Sequence, residues 1–178
     1  MHAIGVFGRK KRSGPAVSEG GYLGLRNLAL KAVDVGAVCA TAEHPRVGGV
    51  VVDIPSTAGI ATVVALGDDT TSLYTSTGGG TIGAGAHAHV AAATHRLLTA
   101  IDAQLEEFAG GRNDHVPNNN FVRFHVLGTA GPAVADIPQD CFWGRARHVL
   151  MPVIAATQDV ITAISSVDQE EPGEQAPP

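Results

Sequence analysis

One glycine-rich stretch decides how this chain divides into structural elements: Ser76-Thr77-Gly78-Gly79-Gly80-Thr81-Ile82-Gly83-Ala84-Gly85. It separates a run typical of a β-strand from a run typical of a long helix. Five glycines within eight residues allow a sharp turn. A loop that enters a helix directly can also point several backbone N–H groups at one anion. The candidate ligand-binding residues are therefore Thr77, Gly78, Gly79, Gly80, Thr81, Gly83 and Gly85.

These glycines fit neither of two common nucleotide-binding loops. A G-x-G-x-x-G pattern begins at Gly78, but a dinucleotide-binding fold needs a parallel strand that ends in an acidic residue about 20 positions later. The residue at that distance is Asp102, inside the predicted helix, and no Lys-Ser or Lys-Thr pair follows the glycines as a Walker loop requires. Three interpretations stay open: a close-packed turn, a contact with a protein partner, or an anion site helped by the hydroxyls of Thr77 and Thr81.

Outward from this stretch, apolar periodicity predicts three helices and five strands. The predicted elements are a helix over Tyr22–Cys39, strands over Val47–Ile54, Ile60–Leu66 and Thr70–Thr75, a helix over Ala84–Phe108, strands over Phe121–Gly128 and Ala133–Ile137, and a helix over Asp140–Ser165. Pro152 is expected to kink or divide the last helix. Short turns between consecutive strands favour antiparallel neighbours. The order α-βββ-α-ββ-α predicts an α+β fold, a three-layer α/β/α sandwich around a five-stranded antiparallel sheet.

The first predicted helix and the strand over 121–128 carry charged or polar residues that can face either solvent or the core. The apolar stripe of the first helix consists of Leu25, Leu28, Ala29, Ala32 and Val33. Arg26 lies outside that stripe, so it is expected to face solvent. In the strand over 121–128, Arg123 and His125 share one face with apolar residues. That pattern is typical of an interface or of an edge strand protected against aggregation, and we favour the edge strand.

Length and composition predict one globular domain with charged ends. The 178 residues suffice for a large core, and 44% hydrophobic with 16% charged residues is typical of a globular protein. Residues 1–18 contain the basic run 9–12 and are expected to form a flexible arm. Residues 19–165 are expected to form a single domain. Residues 166–178 are acidic and proline-rich, which predicts a disordered tail.

Charge and cysteine content predict a cytoplasmic protein that does not bind nucleic acid. The net charge is −5, and the basic and acidic ends cancel, so the folded part is acidic, unlike a nucleic-acid-binding surface. Cys39 and Cys141 are expected to be buried free thiols. No secretory signal and no apolar run of ~18 residues is visible. Four basic charges in the arm would attract an anionic membrane only weakly, so membrane contact is not expected.

The stretch Ser72-Leu73-Tyr74-Thr75-Ser76-Thr77-Gly78-Gly79-Gly80-Thr81-Ile82-Gly83 resembles the SLY-x-S-x-GGG-x-IG motif of an uncharacterised bacterial protein family. The resemblance covers about residues 47 to 108 and implies no known activity. The predicted elements are also similar to those of the Roadblock/dynein-light-chain and profilin-like group of α/β/α sandwiches. That group usually has two strands before its middle helix and three after it, the reverse of the order here. This second resemblance implies a regulatory protein that contacts other proteins, such as a small GTPase.

No metal, cofactor or catalytic site is predicted. The long middle helix carries three histidines, His87, His89 and His95. They are spaced by two, six and eight residues, whereas two metal ligands on one helix stand four residues apart. No G-x-S-x-G nucleophile motif is present. Ser76 could be combined with Asp53 and His125 into a triad, but nothing in their spacing requires it.

The sequence therefore favours a non-catalytic interaction or regulatory module that forms a homodimer. Ala91 and Ala92 on the alanine-rich middle helix are the expected contact, because small residues let two helices approach closely. The alternative is a domain that binds a small ligand or phosphate through residues 78–85. An enzyme of unknown reaction class is the third hypothesis. The expected partners are a second copy of the chain, another protein or a small anion.

Overall fold

The described part of the chain forms one antiparallel sheet with β1 at its centre. The computed structural model describes residues 19–32 and 39–170. Its strands are β1 (Val47–Ser56), β2 (Gly59–Leu66), β3 (Thr71–Thr75), β4 (Gly80–Thr81), β5 (Ala109–Gly110), β6 (Phe121–Gly128) and β7 (Gly131–Pro138). Their order is β4-β3-β2-β1-β6-β7-β5, and every neighbouring pair is antiparallel.

The five predicted strands are confirmed, but the prediction of a five-stranded sheet is wrong. The two additional strands, β4 and β5, contain two residues each and pair at opposite edges of the sheet. Two residues are too few to show the alternation by which a strand is read from sequence. Strand β6 lies between β1 and β7, so the expectation that it is an edge strand is also wrong.

Four α-helices lie in the described residues: α1 (Glu19–Leu30), α2 (Ala88–Ala103), α3 (Gln139–Phe142) and α4 (Met151–Glu170). Helix α2 is shorter than predicted because a 3₁₀ turn precedes it at 84–86 and another follows it at 105–107. Helix α1 ends at Leu30 rather than at Cys39, whose side chain is exposed and not buried as expected. Cys141 is buried, as predicted.

The last predicted helix is divided, but not at Pro152. Helices α3 and α4 are separated by residues 143–150, where Gly144 has a φ of 74° that helical residues do not adopt. Pro152 is the second residue of α4, and proline is tolerated there because the first-turn N–H groups have no helical acceptor. Helix α4 runs to Glu170, five residues past Ser165, where the helix was predicted to end and the disordered tail to follow. The predicted arm at 1–18 and residues 171–178 lie outside the described residues.

The helices cover both faces of the sheet, which makes three layers. Helices α2 and α4 pack on one face over the larger core, which includes Val52 of β1 and Phe124 of β6. Helix α1 covers the opposite face, where a smaller cluster includes Val51 and Tyr22. The alternation of the strands explains this division, because neighbouring residues of a strand point to opposite faces. Within the described residues, no helix has both the length and the apolarity needed to cross a membrane.

Candidate functional site

The first part of the glycine-rich stretch forms a tight hairpin between β3 and β4. The N–H of Gly78 donates to the Thr75 carbonyl at 3.1 Å, and the Thr75 N–H donates to the Gly79 carbonyl at 3.1 Å. Gly78, Gly79 and Gly80 have φ values of 90°, 92° and 138°, a region that residues with a Cβ rarely adopt. This part of the stretch therefore serves the turn itself.

Of the later glycines, Gly85 allows close packing, whereas Gly83 has open space around it but a φ of 75°. A Cβ on Gly85 would overlap the carbonyl oxygen of Asp69. The N–H of Gly83 donates to Ser72 Oγ at 3.2 Å. Helix α2 begins only at Ala88, after the 3₁₀ turn, so the expected direct entry of the loop into a helix is not found. Binding of a ligand by the seven predicted residues stays a prediction.

A row of polar residues crosses the sheet on the face that α1 covers. Tyr74 of β3 lies opposite Thr62 of β2, which lies opposite Asp53 of β1. Asp53 lies opposite Arg123 of β6, and Arg123 lies opposite Asp136 of β7. Directly opposed residues on neighbouring strands are close enough for their side chains to interact. The row therefore places hydroxyl, carboxylate and guanidinium groups side by side on this face of the sheet.

Asp53 is the centre of this row and is fully buried. Its carboxylate accepts hydrogen bonds from Arg26 Nη2 at 2.6 Å, His125 Nε2 at 2.9 Å and Thr62 Oγ1 at 2.8 Å. The single hydroxyl hydrogen of Thr62 is donated to Asp53. The Tyr22 hydroxyl is therefore the donor in its own hydrogen bond to Thr62, at 2.8 Å. Tyr22 and Arg26 stand one turn apart on α1 and reach the sheet together. The cluster therefore fastens α1 to the sheet.

The charges in this cluster compensate one another. Burial alone would raise the pKa of Asp53, but hydrogen bonds from His125 and Arg26 outweigh it and hold that pKa below its ordinary value. Burial opposes the charge of Arg26, yet its hydrogen bonds to Asp53 raise the pKa of the guanidinium. A buried ion pair with every oxygen engaged is typical of a structural contact. Nothing in this arrangement opens the carboxylate to a substrate.

The sequence alone misplaced the residues of this cluster. Arg26, expected to face solvent, is only 2% exposed, whereas Leu28, expected on the buried stripe, is 69% exposed. Of the triad considered from sequence, Asp53 and His125 are in contact at 2.9 Å, whereas Ser76 Oγ accepts the Ile60 N–H at 2.9 Å. One signal was present: Tyr22 and Arg26 stand four residues apart, on one face of a helix.

An apolar groove lies between α1 and the outer strands of the same sheet face. Its volume is about 400 Å³. It is lined by Leu25, Leu28, Ala29, Ala32, Val64, Leu66, Asp68, Thr70, Ser72, Tyr74 and Ile82. Leu28 and Ile82 are 69% and 62% exposed, so two large apolar side chains face water at this groove. Ser72, Tyr74 and Ile82 belong to the stretch 72–83 that contains the glycine-rich loop.

The histidine-rich region forms a chain of hydrogen-bonded side chains. The buried His44 contacts His95 with 3.0 Å between Nε2 and Nδ1, and His95 Nε2 lies 2.8 Å from Asp69 Oδ1. His89 contacts the Ala163 carbonyl. Across residues 19–32 and 39–170, no three His, Cys, Asp or Glu side chains converge as metal ligands would. The sequence did not indicate that His44 would join His95.

The outer face of α2 forms a shallow depression on the opposite side of the molecule. Its volume is about 850 Å³, and it is lined by Glu43, Ala92, His95, Arg96, Thr99, Ala100 and Ala103. Ala92 is exposed and Ala91 is half-buried. Asp102, on the same helix, is buried and pairs with Arg46 at 3.0 Å, so its carboxylate supports the helix and the loop before β1.

Comparison of the chain with protein-family models, with curated proteins and with solved structures finds no match. The class that the fold defines is an α+β domain with an antiparallel sheet covered by helices on both faces. Its function is therefore argued from its own surfaces.

Proposed function

We propose that this protein is a non-catalytic interaction module that acts as a homodimer through the outer face of α2. The observation that carries this proposal is the depression along that helix, which is wide, shallow and lined mainly by small side chains. A surface of this shape suits a second helix, because small residues let two backbones approach closely.

The charges at the depression favour a second copy of the chain as the partner. Glu43 and Arg96, of opposite sign, both line it. In a two-fold symmetric dimer, each contact from one residue of the first copy to a different residue of the second copy is repeated with the two copies exchanged. A pairing of Glu43 with Arg96 would therefore occur twice, once at each end of the interface.

The polar groups of the molecule support a binding role over a catalytic one. Catalytic groups must reach the reacting atoms of a substrate. Here Asp53 is fully buried and bound by Arg26, His125 and Thr62. His95, which lines the depression on α2, has both ring nitrogens engaged, by His44 at 3.0 Å and by Asp69 at 2.8 Å. The module is therefore proposed to act by contact.

The decisive experiment is the molecular mass in solution, measured by sedimentation velocity and native mass spectrometry. The wild-type chain is expected to be a dimer, and Ala92→Arg is expected to be a monomer because the long charged side chain fills the depression. Ala58→Arg is the matched control, since Ala58 is exposed in the β1–β2 turn, away from α2, and it should leave the dimer intact. A wild-type monomer would overturn the homodimer. A dimer that persists in Ala92→Arg would overturn this choice of interface.

A further inference from the structure

We propose that the groove between α1 and strands β2 and β3 binds a small, uncharged and mostly apolar molecule that accepts a hydrogen bond from the Tyr74 hydroxyl. This site lies on the opposite face of the sheet from α2, so the inference does not depend on the proposed dimer. It rests on three observations: the shape and lining of the groove, the state of the Tyr74 hydroxyl, and the charge at the groove.

The size and lining of the groove suit a small organic molecule. Ligand sites are usually concave, between about 300 and 1,000 Å³, and lined mainly by apolar side chains with a few polar groups. This groove has a volume of about 400 Å³, with apolar walls from α1 and β2. Leu28 and Ile82 are exposed to water at present, and a bound apolar molecule would remove part of their surface from water.

The Tyr74 hydroxyl supplies the polar contact. Tyr74 lines the groove and is 3% exposed, and its hydroxyl oxygen is buried without a hydrogen-bond partner in the described part of the chain. Buried polar groups are nearly always paired, so an unpaired one calls for an explanation. Burial raises the pKa of Tyr74, so the phenol keeps its hydrogen and acts as a donor. A carbonyl oxygen on the ligand would satisfy it.

The charges near the groove favour an uncharged ligand over an anion. Among the described lining residues, Asp68 is the one that carries a charge, and that charge is negative. The nearest buried cation, Arg26, is bonded to Asp53 at 2.6 Å and lies outside the lining. An anion entering the groove would meet the carboxylate of Asp68 and no compensating cation. The ligand class is therefore different from the small anion expected for the glycine-rich loop.

The test uses prodan, an uncharged naphthalene ketone whose fluorescence responds to burial, titrated into the full-length chain. We expect saturable binding that weakens about five- to tenfold in Tyr74→Phe, which loses one hydrogen bond. Tyr74→Phe should fold, because it removes a hydroxyl that has no partner. Leu28→Glu should weaken binding at least tenfold, since it puts a second negative charge at the groove. Leu23→Glu is the matched control: Leu23 is 43% exposed on the same helix but does not line the groove.

Each arm of this experiment has a defined outcome. Weaker binding in Tyr74→Phe and Leu28→Glu, together with unchanged binding in Leu23→Glu, supports the proposal. Absence of saturable binding to the wild-type chain overturns it. Equal binding by Leu28→Glu and the wild type overturns the location, and equal binding by Tyr74→Phe overturns the role of the hydroxyl. A titration with 2-naphthoate tests the charge argument, because an anion that binds as tightly as prodan would refute it.

Discussion

Removal of the Arg26 guanidinium should destabilise the protein more than any single change at its surface. Arg26→Met keeps most of the apolar stem of the side chain but takes the positive charge away from Asp53, which is fully buried. The carboxylate would keep only the hydrogen bonds from His125 and Thr62. A buried charge that loses its partner costs about 3–5 kcal/mol. Because small domains are stable by about 5–15 kcal/mol in total, this change removes a large share.

Replacement of a second arginine by methionine, at Arg123 in the polar row, provides the control. Arg123 pairs with Asp136 at 2.6 Å, but the Asp136 side chain is 40% exposed. In Arg123→Met the carboxylate can therefore be hydrated, and the expected loss is about 1 kcal/mol. The double variant Arg26→Met/Asp53→Asn should be more stable than Arg26→Met alone, because it leaves no uncompensated charge.

Urea unfolding and thermal unfolding, each followed by far-UV circular dichroism and Trp143 fluorescence, measure these differences as a free energy of unfolding and as a Tm. For a domain of this size, each kcal/mol corresponds to roughly 2–4 °C in Tm, so Arg26→Met should lower Tm by about 6–20 °C and Arg123→Met by about 2–4 °C. If Arg26→Met costs no more than Arg123→Met, the claim that the buried cluster fastens α1 to the sheet is refuted.

Three further predictions follow from particular contacts. Gly85→Ala should destabilise the fold by more than about 2 kcal/mol, because the new Cβ would overlap the backbone of the β2–β3 turn. Gly110→Ala is the control: open space surrounds Gly110, so this variant should unfold in urea like the wild type. Tyr22→Phe should cost about 1 kcal/mol for its lost hydrogen bond, and Tyr74→Phe, which loses none, should cost less. Folding lowers the pKa of Asp53, so its ionised carboxylate contributes fully to the free energy of unfolding above about pH 4. That contribution disappears as the pH falls through the lowered pKa. Asp53→Asn should therefore flatten the acidic part of the curve of stability against pH.

Each of these predictions has a contrary result. Equal stability of Gly85→Ala and Gly110→Ala would mean that the turn can move to accept a side chain. A larger loss in Tyr74→Phe than in Tyr22→Phe would mean that the Tyr74 hydroxyl has a partner after all. An unchanged slope in Asp53→Asn below about pH 4 would assign the acid sensitivity to other carboxylates.

The types and order of the main elements could be predicted because they follow from local patterns. The valine-rich run that became β1 and the alternation in β6 are visible without any knowledge of neighbours. The strands at the two edges of the sheet could not be predicted. The short strands β4 and β5 have no pattern of their own, since they exist only because β3 and β7 offer backbone groups to pair with.

The sequence by itself determined the alternating strands, the turns between them and the amphipathic helix that covers the larger core, because each depends on residues close together in the chain. Only the tertiary structure decided that Arg26 would be buried while Leu28 faces water. The burial of a charge depends on where its counter-charge lies, and Asp53 is 27 residues away on another element. The same holds for the groove at Tyr74, whose walls come from α1, β2 and β3 and form only when these elements pack together.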